Sequence, residues 1–266
     1  MISFLLAAAI YTTAQGSVLQ VKVPNEPRVR SVQVLWEGKK VPAFRVEDSW
    51  TTILGVDLDK KPGEHLAEAV LTKDDGSVEK FEIAVEVMAK EFPTEQLKVA
   101  PRFTDLSKTD LNRVNRESKE VGAIYRRITA DIVPDAPFTV PIPGAIGTNF
   151  GERRIFNGQA RSPHSGADLR ASTGTPVHAA NRGRVVLAKA LFFTGNTVIL
   201  DHGLGIYSLY AHLSRIDVKP GALVSSNEVV GLAGATGRVT GPHLHWGMRV
   251  QGARVDPFSL VGPDRN

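Results

Sequence analysis

Gly241-Pro242-His243-Leu244-His245 is the segment that most narrows what this chain can be. On an extended backbone, two histidines two positions apart point to one face, with Cα atoms about 6–7 Å apart. Both imidazoles can then reach one small site. Two further stretches carry the same residue types: His164-Ser165-Gly166-Ala167-Asp168 and Tyr210-Ala211-His212-Leu213-Ser214. Four histidines and a carboxylate in three short motifs form a metal-hydrolase constellation. A fold that uses them must bring three separate stretches of chain to one place.

Composition narrows the chemistry further. Cysteine is absent, which excludes disulfides, cysteine nucleophiles and thiolate zinc sites. Any metal must be held by His, Asp or Glu. His164 and Asp168 would lie about 13 Å apart on a regular strand, too far for one ion. Ser165-Gly166 breaks that regularity, while Pro163 and Gly166 disfavour a helix. A curled segment can therefore bring His164 and Asp168 to one cation. A histidine of the C-terminal pair supplies a third ligand, and spacing leaves open whether it is His243 or His245. Two imidazoles and a carboxylate favour tetrahedral zinc with water in the fourth position, as in a catalytic site. The remaining histidines suit hydrogen bonding to water, carbonyl polarisation or proton transfer to a leaving amine.

Taken together, the three motifs resemble the lysostaphin-type zinc metallopeptidases, the LytM-domain endopeptidases. The resemblance runs over roughly 145–260. It includes Asn149-Phe150-Gly151, Gly174-Thr175-Pro176-Val177, Asp201-His202-Gly203-Leu204-Gly205 and Gly234-Ala235-Thr236-Gly237. It implies a β-rich domain with a metal in a groove, His164, Asp168 and His245 as zinc ligands, and His212 and His243 as catalytic histidines. It also implies hydrolysis of peptide bonds in peptidoglycan stem or cross-link peptides by a zinc-activated water. The alternative is a catalytically silent LytM-domain regulator that activates a cell-wall amidase; such proteins generally lack the metal set. A histidine phosphocarrier would need neither Asp168 nor export.

The rest of the chain organises around that domain. Residues 1–14 read as an export signal: an apolar stretch too short to span a bilayer, with Thr12-Thr13-Ala14 before a cut near Gln15, although no Lys or Arg precedes it. Residues 17–96 read as a β-sandwich of immunoglobulin-like type. Alternating runs at 18–23 and 32–36, a turn at Glu37-Gly38, and Asp74-Asp75-Gly76 between 66–72 and 78–87 carry that reading. Residues 97–136 read as a linker and a bridging helix over about 107–129. Ser107 or Thr109 would be its N-cap, and Leu111, Val114, Val121, Ile124 and Ile128 its apolar stripe. Residues 137–266 form the metallopeptidase domain and hold 18 of the 24 glycines between short β-branched runs.

Charge is divided unevenly. Residues 17–96 carry 11 Lys/Arg against 15 Asp/Glu, and residues 137–266 carry 13 against 7. A basic catalytic half suits an anionic polymer or acidic peptide. Nucleic acid is disfavoured, since the basic residues are scattered and no aromatic-basic platform accompanies them. The expected setting is periplasmic or secreted, with no stable membrane insertion after signal cleavage and a possible cell-envelope protein partner for the N-terminal domain. His65, His178 and His202 read as structural, Arg153 and Arg154 as a solvated face, and Tyr207, Tyr210, Phe192 and Phe193 as strand packing.

Overall fold

The computed structural model describes residues 10–98, 105–130, 134–135, 137–145, 147 and 149–262. Residues 1–9 of the expected export signal lie outside the described residues. Compactness divides the chain into two units, 1–90 and 91–266.

Among the described residues, the first unit contains eight strands: β1 (Tyr11–Ala14), β2 (Val18–Pro24), β3 (Val29–Trp36), β4 (Lys39–Pro42), β5 (Phe44–Val46), β6 (Ser49–Gly55), β7 (Gly63–Lys73) and β8 (Val78–Met88). They form a five-stranded sheet in the order β1-β8-β7-β3-β4 and a three-stranded sheet in the order β2-β6-β5. The alternation legible in β2 and β3 is the burial pattern of the structure. Val21, Val32 and Val34 face a core shared with Trp36, Trp50, Leu54 and Val85 from both sheets. Glu37 and Gly38 both take positive φ, 49° and 72°, and so form the tight turn between β3 and β4 that matches strand twist. Tyr11–Ala14 adds an edge strand, parallel to residues 85–88 of β8.

The second unit starts with β9 (Thr94–Leu97) and α1 (Lys108–Tyr125). It continues with β10 (Arg153–Phe156), β11 (Gln159–Ala160), β12 (Gly166–Arg170), β13 (Pro176–His178), β14 (Gly183–Leu191), β15 (Gly195–Asp201) and β16 (Ile206–Leu213). It ends with β17 (Arg215–Ile216), β18 (Leu223–Val224), β19 (Val229–Leu232), β20 (His243–Val250) and β21 (Ala253–Val255). The central sheet runs β12-β20-β16-β15-β14-β18, with β21 also paired to β20. Smaller sheets are β13-β19-β17 and β11-β10-β9. β9 pairs in parallel with β10; residues 94–96 of this strand come from the stretch read as sandwich and Leu97 from the stretch read as linker.

Ser107 caps α1: its side chain accepts from the Asp110 amide, which selects it over Thr109. The helix ends at Tyr125, short of Ile128. It packs by its C-terminal half, where Val121, Ile124 and Tyr125 meet Leu187, Leu191, Ile199 and Tyr207 of the central sheet. Leu111, expected in the apolar stripe, is 47% exposed. Polar contacts also hold the middle of the helix. Glu117 accepts from the Phe192 amide at 2.8 Å, and Lys189 pairs with Glu120 at 2.6 Å.

Candidate metal centre

Three strands of the central sheet set the site. β12 lies antiparallel to β20 with Asp168 directly opposite His245, and β16 lies on the other side of β20 with Ala211 opposite His245. His212 therefore emerges one residue past that register, where β16 ends. Its φ is +62°, a left-handed conformation uncommon for a non-glycine residue and frequent at functional sites. The Thr194 carbonyl accepts from its amide at 2.8 Å and helps hold that backbone. His243 and His245 share one face of β20 while Leu244 between them is fully buried, as the spacing predicted.

His164 stands ahead of β12, where the backbone turns through Asn149–Glu152. The His164 amide donates to the Glu152 carbonyl, and the His164 carbonyl accepts from Gly151. The curl expected of Ser165-Gly166 is present: His164 Nε2 lies 3.0 Å from Asp168 Oδ1. Gly166 is required by space. A Cβ there would sit 2.5 Å from the Trp246 carbonyl oxygen and under 3 Å from the His245 ring.

All five sequence-selected residues face one groove of about 780 Å³. Asp168 Oδ1 lies 2.8 Å from His245 Nδ1, and His164 Nε2 lies 2.9 Å from the same nitrogen. These three form the group whose ligand atoms lie within 4.8 Å of one another. His243 Nε2 is farther from Asp168 Oδ1, at 3.7 Å. The His212 ring centroid is 5.0 Å from that of His243 and 6.0 Å from that of His245.

Hydrogen bonding fixes how these rings present themselves. His164 Nδ1 faces the Asn149 carbonyl at 2.9 Å, His212 Nδ1 the Thr236 carbonyl at 2.8 Å, and His243 Nδ1 the Gly241 carbonyl at 2.9 Å. A carbonyl only accepts, so each Nδ1 carries a proton and Nε2 is the nitrogen left for other partners. At His164 that Nε2 meets the Asp168 carboxylate and His245 Nδ1. His164 Nε2, Asp168 Oδ1 and His245 Nδ1 converge at 2.8–3.0 Å, a spacing that suits a shared proton or a bound cation, and an all N/O donor set of this kind fits zinc. Burial, followed by the charge of neighbouring His245, lowers the His212 pKa to about 3, and burial also lowers that of His245. Burial works against the Asp168 charge, but its contacts with His164 and His245 outweigh it and keep the carboxyl below its usual range.

Two residues that the sequence did not single out for this role hold Asp168. Asn149 uses both ends of its amide: Nδ2 donates to Asp168 Oδ2 at 3.0 Å, and Oδ1 accepts from the Asp168 amide at 2.9 Å. Arg154 Nη2 donates to the same Oδ2 at 3.1 Å. Oδ1 is thereby left to the imidazoles. Arg154 is thus not on a solvated face; its side chain is 18% exposed, whereas Arg153 is exposed. Phe193 is a second correction, since it lines the groove rather than packing only within the sheet.

The other histidines and tyrosines lie away from the site. Tyr207 and Tyr210 are buried; Tyr207 donates to the Arg127 carbonyl and Tyr210 accepts from the Ala180 amide. His178 contacts the Asn227 carbonyl. His202 is fully buried, with Nδ1 donating to the Arg182 carbonyl and Nε2 2.7 Å from Ser208 Oγ. Burial depresses its pKa from 6.5 to about 4. Between those values the unfolded chain binds a proton that the folded chain rejects. Stability is therefore expected to fall as pH drops from 6.5 toward 4, by about 3 kcal/mol for this group alone. Urea unfolding of the wild type and His202→Gln at pH 7 and pH 4.5 measures it: the wild-type advantage should shrink at the lower pH.

Residues 162–257 match the model of the family described as Peptidase family M23. Over 119 residues the chain is 43% identical to the peptidoglycan DD-endopeptidase ShyA of Vibrio cholerae, an alignment covering 44% of this chain and 28% of that protein. Over 100 residues it is 42% identical to the DD-carboxypeptidase/endopeptidase Mpg of Neisseria meningitidis, covering 38% and 23%. The chain thus spans about a quarter of the length of these curated relatives. A crystal structure from Pseudomonas aeruginosa, assigned to peptidase M23, superposes with a TM-score of 0.74 at 32% identity, covering 94% of this chain and 95% of that one.

Proposed function

The chain belongs to peptidase family M23, and on that premise we propose that it is a zinc endopeptidase of peptidoglycan cross-links, with His164, Asp168 and His245 as the metal ligands. The observation that carries this reading is the crowding of His164 Nε2, Asp168 Oδ1 and His245 Nδ1 at 2.8–3.0 Å. The relative ShyA, a peptidoglycan DD-endopeptidase by name, supports the substrate.

When bound, zinc supplies Lewis-acid polarisation of a carbonyl and brings the pKa of water to about 7. The protein's own residues do the rest. The Asn149 carbonyl fixes the His164 tautomer, and Asn149 with Arg154 fixes which Asp168 oxygen faces the ion. His212 and His243 present Nε2 lone pairs into the groove. One of them accepts the proton of the attacking water; the water oxygen bonds to the carbonyl carbon. The protonated ring then donates to the amide nitrogen as the C–N bond breaks. The silent-regulator alternative gains nothing from this site, where five functional side chains face one groove.

The same reading places the protein in the cell envelope, where its substrate is. Among the described residues, no helix is long and apolar enough to cross a membrane. We further propose that the apolar stretch ahead of β1 directs export, with Tyr11–Ala14 kept as the edge strand it forms, and that the N-terminal sandwich recruits or positions the peptidase unit on an envelope partner.

Mass spectrometry of muropeptides after digestion of purified peptidoglycan tests the activity. Cross-linked dimers should be lost with zinc-loaded protein and retained with chelator or with His245→Ala. Undiminished cleavage by chelated protein or by His245→Ala would overturn the reading.

A further inference from the structure

The groove holds three arginines, and only Arg154 is explained by the metal ligands, through its contact with Asp168. β10 and β11 form a hairpin whose turn, Asn157-Gly158, takes positive φ at both residues, 50° and 80°. The hairpin sets Arg154 beside Arg161, whose amide donates to the Arg154 carbonyl at 2.8 Å. Arg238 reaches in from the loop between β19 and β20. Its guanidinium carbon lies 4.9 Å from the Phe156 ring centroid and 4.3 Å from that of Phe193. Its amide donates to the Phe193 carbonyl at 2.8 Å. Two aromatic faces hold this cation without neutralising it.

The nearby carboxylates gather on Arg154 and leave Arg161 and Arg238 without an ion-pair partner among the described residues. Arg154 is paired with Asp168, which the metal also claims, and its Nε stands 4.0 Å from Glu95. Arg161 donates to Gln159, an uncharged partner, at 2.5 Å. Among the described residues no carboxylate lies within ion-pair reach of Arg238, and the Nε atoms of Arg154 and Arg161 are buried without a hydrogen-bond partner. Burial, then the charges of Arg154 and Arg161, lower the Arg238 pKa to about 10, still well above neutrality. Buried guanidinium N–H groups left unpaired are costly, and a planar carboxylate is the group whose geometry they match. The three arginines line the same groove as His212, His243 and the ligand trio.

We propose that Arg161 and Arg238, backed by Arg154, form a carboxylate subsite that selects substrates with a free carboxylate on the carbon bonded to the leaving nitrogen. This rests on the peptidase reading above and deepens it. In a bond between two D-configured centres, that carboxylate is free both in a terminal D-amino acid and in a diamino acid joined through its D centre. A glycine bridge within a chain has none. The subsite therefore separates DD cross-links from uncharged bridges. Arg238 supplies the anchor, because its charge is otherwise unspent.

The test uses the full chain and a matched pair of probes, diacetyl-L-lysyl-D-alanyl-D-alanine and its C-terminal carboxamide. With zinc-loaded protein, kcat/KM for the acid should exceed that for the amide by about 10- to 100-fold, the size of one or two charge-assisted hydrogen bonds. Arg238→Gln should erase that gap by slowing the acid alone. Arg238→Lys should retain part of it, having charge without the fork. Arg161→Gln provides a second variant should Arg238→Gln fold poorly. Calorimetric binding of the same pair to metal-free protein is the readout independent of turnover, and the acid should bind at least about 10-fold more tightly. Cleavage of both probes without a gap, or equal binding of both, would overturn the subsite. A binding gap without cleavage of either probe would support the subsite while removing the peptidase reading.

Discussion

Asp168→Asn is expected to lose both the metal and peptidoglycan cleavage, the latter by at least about 10³-fold, since a single oxyanion donor is already worth about 10²–10³. Asp168 is the only anionic member of the proposed donor set, with Oδ1 at 3.0 Å and 2.8 Å from the two imidazole nitrogens. An amide keeps the shape and removes the charge. Arg154, 3.1 Å from Oδ2, is then left facing the site with its positive charge uncompensated by that oxygen. Neutral ligands beside a guanidinium that has lost its Asp168 partner favour a dication far less. The metal-linked stability should vanish as well. A ligand at 1,000 times its Kd stabilises a folded chain by about 4 kcal/mol, so added zinc should raise the unfolding midpoint of the wild type and not that of Asp168→Asn. Metal per chain after dialysis, thermal unfolding with and without zinc, and muropeptide release measure the three effects. Stoichiometric zinc in Asp168→Asn would remove Asp168 from the ligand set.

The sequence was most informative where the chemistry is local. The two-residue period of His243 and His245 is a property of any strand, so their shared face follows from spacing alone. The curl at Ser165-Gly166 was readable for the same reason, since a regular strand cannot bring His164 to Asp168. Contacts made across longer stretches left no periodic trace. Asn149 holds Asp168 from 19 residues away, and Arg154 does so from 14. Asn157-Gly158 was the signal that could have placed Arg154: it is a strong two-residue hairpin marker, and it sets Arg154 opposite Arg161. Leu111 and Phe193 show the opposite failure. Helical spacing marked Leu111 as buried, yet α1 rests on the sheet only through its C-terminal half. Phe193 looked like strand filling, but it stacks on Arg238 from the turn between β14 and β15. Periodicity says which residues share a face; what covers that face is decided elsewhere in the chain.

His212→Asn should separate catalysis from metal binding. His212 lies outside the crowded trio, so its replacement should leave about one zinc per chain. Its Nε2 lone pair faces the groove because Nδ1 donates to the Thr236 carbonyl, and an asparagine cannot shuttle a proton there. Cleavage should drop by about 10²–10⁴, the range of general acid–base catalysis. Asparagine is chosen because His212 sits at φ +62°, where Asn is tolerated and other side chains are strained. His212→Ala should lose as much activity and carry an added backbone penalty of about 1–2 kcal/mol in urea unfolding. The paired variants therefore distinguish two causes of inactivity, a missing imidazole and a distorted end of β16. Retained zinc and near-normal stability with cleavage abolished in His212→Asn would identify the ring itself as the proton carrier. Loss of zinc from that variant would move His212 into the ligand set, and undiminished cleavage would transfer the proton step to His243.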